Sequence, residues 1–243
     1  MPARDQARNP RPRPFGLLAR LGPCLLALTV AAATAARGAE ATDPLQGRRM
    51  TGGMSGSGAT TQLFGVRATG SKFVYVIDRS RSMGFLQGEP LRAAKAELIA
   101  SLKDLRSVNQ FQIVSYNERP SIFNPSRPLP PKVLFGTEDN KELAAEFIRS
   151  MTPAGGTNHA DALRVALGLQ ADVIFLLTDA DEPRLGPKEL EQVRRWNRTG
   201  TVIHAVEFGA GPFLGRDDFL VRLATQNNGQ HVYINVSELG KTK

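Results

Sequence analysis

The segment "FVYVIDRSRSM" (residues 73–83) runs through five apolar residues into a carboxylate and two hydroxyls at alternate positions, Asp78, Ser80 and Ser82. Alternate residues of an extended or looping segment can aim their side chains at one centre. Two other segments add oxygen donors. "VIFLLTD" (173–179) ends in Asp179, and "PAGGTNHA" (153–160) presents Thr157 in a glycine loop that opens into a helix. Gly155 and Gly156 permit close backbone approach there. An all-oxygen set of two carboxylates and three hydroxyls suits a hard cation, and magnesium wants octahedral oxygens while keeping some waters. With at most two carboxylates the ion keeps positive character and a position open to an incoming carboxylate. Each residue alone also has a structural reading. Serines after a strand cap turns, and an aspartate ending a strand caps the next helix. The weight lies in the combination of three segments, two of them at the ends of strongly apolar runs.

The elements that must position these residues alternate along the chain. Strands are expected at 72–78, 110–117, 172–179, 201–209 and 229–235. Helices are expected at 89–105, 137–151, 158–169, 186–200 and 216–226. "RPSIFNPSRPLPP" (119–131) is too rich in proline for more than a short edge strand. Such alternation predicts an α/β fold: a doubly wound, mainly parallel six-stranded sheet with helices on both faces, Rossmann-like. Ligands bind such sheets beyond the carboxyl ends of strands, where strand order reverses. Asp78 and Asp179 sit at such ends.

The N-terminus has its own character. Residues 1–20 carry five arginines and one aspartate, residues 21–36 carry no charge, and "ATA" and "AEA" offer small-residue cleavage sites. Residues 1–41 are therefore expected to be an export signal, cleaved or retained as an anchor. Residues 42–71, rich in Gly, Ser and Thr, are expected to be a flexible linker, with "LFGVRA" (63–68) as a candidate edge strand. The folded domain is placed at 72–236 and a tail at 237–243. The expected location is periplasmic, cell-surface or secreted, and a membrane is involved only if the N-terminal segment is retained.

The formal charge of +8 falls to +4 without residues 1–41, too weak a bias for nucleic acid. Cys24, the only cysteine, lies in the signal, so the rest of the chain has neither disulfide nor thiolate chemistry. No Walker motif and no "GxGxxG" follows a strand. Phosphatase-like folds pair the aspartate after the first strand with a second carboxylate two residues on. Position 80 is serine, which argues against that class.

The ordered set Asp78-x-Ser80-x-Ser82, Thr157 within "GGTN" and Asp179 within "LLTDAD" resembles a von Willebrand factor type A domain with a metal-ion-dependent adhesion site (MIDAS). The resemblance covers about residues 70–236. It implies that Ser80 and Ser82 bind Mg²⁺ or Mn²⁺ directly. Thr157 binds directly or through water, and Asp78 and Asp179 often act through water. It further implies a protein partner whose Asp or Glu completes the coordination, a role in adhesion, no small-molecule substrate and no catalysis. A type A scaffold without metal is the alternative, and a metal-dependent phosphoester hydrolase is a more distant one. Family members commonly carry glycine where this chain has Arg81 and Ala180. The segment after "HVYIN" is too short for the long terminal helix that tunes affinity in some relatives, so that switch is not expected.

His159 follows "GGTN" and could approach the site, but is expected to pack at the surface or cap; His204 is expected to be a satisfied core histidine, and Trp196 to make a helix–sheet contact. Asp181 and Glu182 read as an acidic loop. "NRT" (197–199) and "NVS" (235–237) match the glycosylation pattern.

Overall fold

The computed structural model describes residues 58–215 and 218–239. The expected export signal, residues 42–57 of the expected linker, Cys24 and the last four residues lie outside the described residues, as do the first two of the helix expected at 216–226.

Within the span expected to be a linker, β1 (Ala59–Leu63) and β2 (Val66–Gly70) form an antiparallel hairpin. Its two-residue loop is Phe64-Gly65, with φ of +49° and +81°. Positive φ at both positions matches the right-handed twist of the flanking strands. The strands alternate buried and exposed residues, and Ala59, Leu63, Val66 and Ala68 join the main core. The composition of 42–71 hides this because a period-2 pattern built on Ala and Thr looks like linker sequence.

β3 (Lys72–Asp78) leads through a 3₁₀ turn (Ser82–Gly84) into α1 (Phe85–Lys103). Leu86, Gln87 and Gly88 have left-handed dihedrals, so the regular helix starts where Glu89 and Pro90 place it. There follow β4 (Gln110–Tyr116), β5 (Pro120–Ile122), β6 (Leu134–Phe135), α2 (Glu138–Ser150) and α3 (His159–Gly168). The chain continues with β7 (Val173–Thr178), α4 (Pro187–Trp196), β8 (Val202–Gly209), α5 (Phe219–Gln226) and β9 (His231–Asn235). The main sheet has seven strands in the order β5-β4-β3-β7-β8-β9, with β6 added against β4. β3, β4, β7, β8 and β9 are parallel, and β5 and β6 run antiparallel to β4. The doubly wound α/β reading therefore holds. The strand beyond the expected six is β6, two residues long and too short to show as a pattern.

Alternate residues of the buried strands feed two cores. Phe73, Tyr75, Ile77, Phe175 and Leu177 meet α1, α2 and the hairpin, while Val74, Val76, Ile174 and Leu176 meet α3, α4 and α5. From β3 the chain winds first to β4 and later to β7, so strand order reverses between β3 and β7. The carboxyl ends of these two strands form the crevice where such sheets take ligands. No helix among the described residues is long and apolar enough to cross a membrane.

Candidate functional site

Parallel pairing sets Ile77 of β3 opposite Leu177 of β7, which brings the next residues, Asp78 and Thr178, side by side. Both are completely buried. The Thr178 hydroxyl donates to Asp78 Oδ2 at 2.7 Å, and the Ser80 amide donates to Asp78 Oδ1 at 2.8 Å. Thr178 Oγ1 in turn accepts the Ala180 amide at 3.1 Å. Asp78 thus ties the two strand-end loops together, and both its oxygens have protein donors.

The two serines and Asp179 form a second chain of oxygens. Ser80 Oγ lies 3.0 Å from Ser82 Oγ, and Ser82 Oγ donates to Asp179 Oδ1 at 3.1 Å. Because the Ser82 proton goes to Asp179, the Ser80 hydroxyl is the donor in the first contact. Burial, and then the charge of Asp78, push the Asp179 carboxyl up to about 6.

The glycine loop is stitched to the first loop by two backbone bonds, Arg81 N to Gly155 O at 3.0 Å and Ala154 N to Arg79 O at 2.8 Å. Gly155 has φ of +77°, and a Cβ there would stand 2.9 Å from Asn117 Nδ2. Glu118 Oε1 accepts the Gly156 amide, and Asn117 Nδ2 donates to Ala154 O. Thr157 follows, half-buried, its hydroxyl without a protein partner among the described residues. The structure therefore joins Asp78, Ser80, Ser82 and Asp179 in one hydrogen-bonded cluster. Thr157 stands two residues beyond the point where its loop is pinned to that cluster.

Sequence reading missed Thr178, Asn117, Glu118 and Tyr116. The alternation along β7 was a usable sign for Thr178, which shares a face with Ile174 and Leu176. Asn117 and Glu118 gave none, since loop polar residues are commonplace. Arg81 is exposed and has right-handed helical dihedrals (φ −59°, ψ −35°). Ala180 has φ of +56° and is buried. His159 is buried rather than at the surface. It lies 2.8 Å from the Tyr116 hydroxyl through Nδ1 and 3.4 Å from Asp181 O through Nε2. Burial lowers its pKa. The same cause lowers that of His204, whose Nδ1 accepts the Gln230 amide inside the core. Trp196 packs against the core on the α3–α5 face. Asp181 and Glu182 are exposed. Both glycosylation-pattern asparagines are used structurally. Asn197 bonds Thr201 and Asn227, and Asn235 accepts the Gly211 and Ser237 amides.

What this arrangement offers chemically is a partly buried, all-oxygen edge. Adjacent ligands of an octahedral ion at about 2.1 Å lie about 3 Å apart. The Ser80–Ser82 and Ser82–Asp179 oxygen separations have that length. Among the described residues no group of three or more His, Cys, Asp and Glu could hold a metal ion, so hydroxyls must supply part of any ligand set.

Comparison with known proteins agrees with the fold. Residues 73–182 match a family model described as von Willebrand factor type A domain. Human inter-alpha-trypsin inhibitor heavy chain H4 is 28% identical over 173 residues, covering 64% of this chain and 17% of that protein. A von Willebrand factor type A structure from Catenulispora acidiphila superimposes with a TM-score of 0.58 at 18% identity, covering 72% of this chain and 42% of that one. Proximal thread matrix protein 1 from the mussel byssus, with a zinc-occupied MIDAS motif, gives 0.50 at 17% identity, covering 71% and 46%. The family model matches 110 of the 243 residues, and the structural neighbours agree with the doubly wound α/β fold.

Proposed function

We propose that this chain is an exported adhesion or interaction module that binds Mg²⁺ or Mn²⁺ and uses it to grip an Asp or Glu of a protein partner. Ser80, Ser82 and Thr157 are the direct ligands, with Asp78 and Asp179 in support. The observation that carries the reading is the 3.0 Å separation of the Ser80 and Ser82 hydroxyl oxygens, with Asp179 accepting from Ser82 at 3.1 Å. The zinc-occupied motif of the mussel protein supports a divalent ion in this fold. When bound, the ion supplies a positive centre with a free coordination position. Asp78 orients the serine loop through the Ser80 amide and the Asp179 loop through Thr178. Asp179 takes the Ser82 proton bond and so aims the Ser82 lone pairs. Arg81, exposed beside the serines, adds positive charge that favours an acidic partner.

The module binds and does not catalyse. His159, the imidazole closest in sequence to the donors, has a partner on each ring nitrogen, which leaves no free general base on that ring. Calorimetric titration of the full chain with Mg²⁺ and Mn²⁺ tests the reading. Saturable binding is expected for the wild type and is lost in Ser82→Ala and Asp179→Asn. Equal affinity in the wild type and both variants contradicts it. These variants are preferable to Asp78→Ala, which leaves a buried hydroxyl and amide without an acceptor at about 1–3 kcal/mol each.

A further inference from the structure

The loops that carry the oxygen donors meet at an imidazole that metal binding does not use. His159 opens α3 two residues after Thr157 and is 1% exposed. Its Nε2 faces the Asp181 carbonyl, which has no proton to give, so Nε2 carries the hydrogen. Nδ1 is then the acceptor, and the Tyr116 phenol is the donor to it. Burial and the Asp78 charge push the Tyr116 pKa far up, so the phenol keeps its proton. Phe219 of α5 lies 5.2 Å from the imidazole, ring centre to ring centre, and Tyr116 meets it edge-on at 5.7 Å. The ring has one tautomer and one place. Asp181, which it holds, lies two residues after Asp179 and directly after Ala180.

We propose that His159 is a positioning residue: its Nε2–H bond to the Asp181 carbonyl sets the Asp179 loop against the Thr157 loop, and Tyr116 keeps the ring in the tautomer able to make that bond. The effect on metal affinity rests on the function proposed above. The tethering of the loop does not.

The test uses the full chain and its His159→Gln, His159→Asn and Tyr116→Phe variants. A glutamine amide can place an N–H near the Nε2 position, whereas asparagine reaches only the Nδ1 position. Backbone amide exchange of residues 179–182 is measured first, in chelator, with global stability followed in parallel. Exchange is expected to accelerate in His159→Asn, less in Tyr116→Phe, and to stay near wild type in His159→Gln. Mn²⁺ affinity is then expected to fall about tenfold in His159→Asn and to be largely retained in His159→Gln. Unchanged exchange in His159→Asn, or equal acceleration in the Gln and Asn variants, overturns the tether. If His159→Asn does not fold, Tyr116→Phe decides, and unchanged exchange there overturns it. A wild type that binds no Mn²⁺ while the exchange pattern holds overturns the metal reading and the affinity consequence alone.

Discussion

Ala180 holds a left-handed backbone, φ +56°, in a buried position directly after Asp179. An L-residue pays about 1–2 kcal/mol there. Ala180→Gly removes that cost but gives up about 0.8 kcal/mol of methyl burial and adds about 0.5–1 kcal/mol of chain entropy. Its net effect on urea unfolding should stay within about 1 kcal/mol. Ala180→Val puts a branched side chain into the same dihedrals and should destabilise by about 2 kcal/mol or more. Arg81 sits in right-handed helical dihedrals and has no such conflict, so its backbone does not require glycine. Asp179 makes a pH prediction. Its folded pKa, about 6, lies above the ordinary carboxylate value, so the folded chain in chelator holds a proton that the unfolded chain has released. Stability from this group is present at low pH and lost as pH rises through about 6. Melting curves in chelator should show that loss, and Asp179→Asn should remove it. A wild-type profile that rises over this window relative to Asp179→Asn contradicts the assignment.

At the scale of elements, the hairpin is the main addition to what the sequence made visible. Leu63 is completely buried against the main core, and Phe64 meets Phe208 edge-on at 5.3 Å. Polar anchors reinforce it. The Thr61 hydroxyl donates to Ser101 O, and the Phe64 amide donates to Glu97 on α1. Leu63→Ala should therefore cost about 3 kcal/mol in urea unfolding. A cost near zero would return residues 59–70 to linker status. The β3 and β7 strands were legible because they are nearly unbroken apolar runs, as strands covered on both faces must be. The helices were legible from their apolar spacing, and the structure caps α2 with Thr137 and α3 with Asn158. The hairpin was not, because its turn places Phe64 at positive φ where Asn or Gly would have signalled it. The left-handed kink before Glu89 was hidden too, since Leu86 and Gln87 are ordinary helix formers.

At the scale of the molecule, the order β4-β3-β7 turns three distant segments into one site. The candidate donors were legible because carboxylates and hydroxyls after strands stand out against apolar runs. The parts that hold them were not. Thr178 showed only in the alternation along β7, Tyr116 acts through burial, and the Asn117–Glu118 clamp is made of loop polar residues that no local spacing marks. Linkage gives a global readout of the proposed function. A ligand at one hundred times its dissociation constant stabilises the folded state by about 2.7 kcal/mol. Saturating Mn²⁺ should thus raise the melting temperature of the wild type and leave Ser82→Ala unmoved. Equal shifts in both would place the ion elsewhere. The most direct measurement is anomalous diffraction at the manganese edge from crystals of the chain grown with Mn²⁺. A peak within about 2.2 Å of Ser80 Oγ and Ser82 Oγ is expected. Crystals at saturating Mn²⁺ with no peak there, or with one only at another position, would contradict the proposed function.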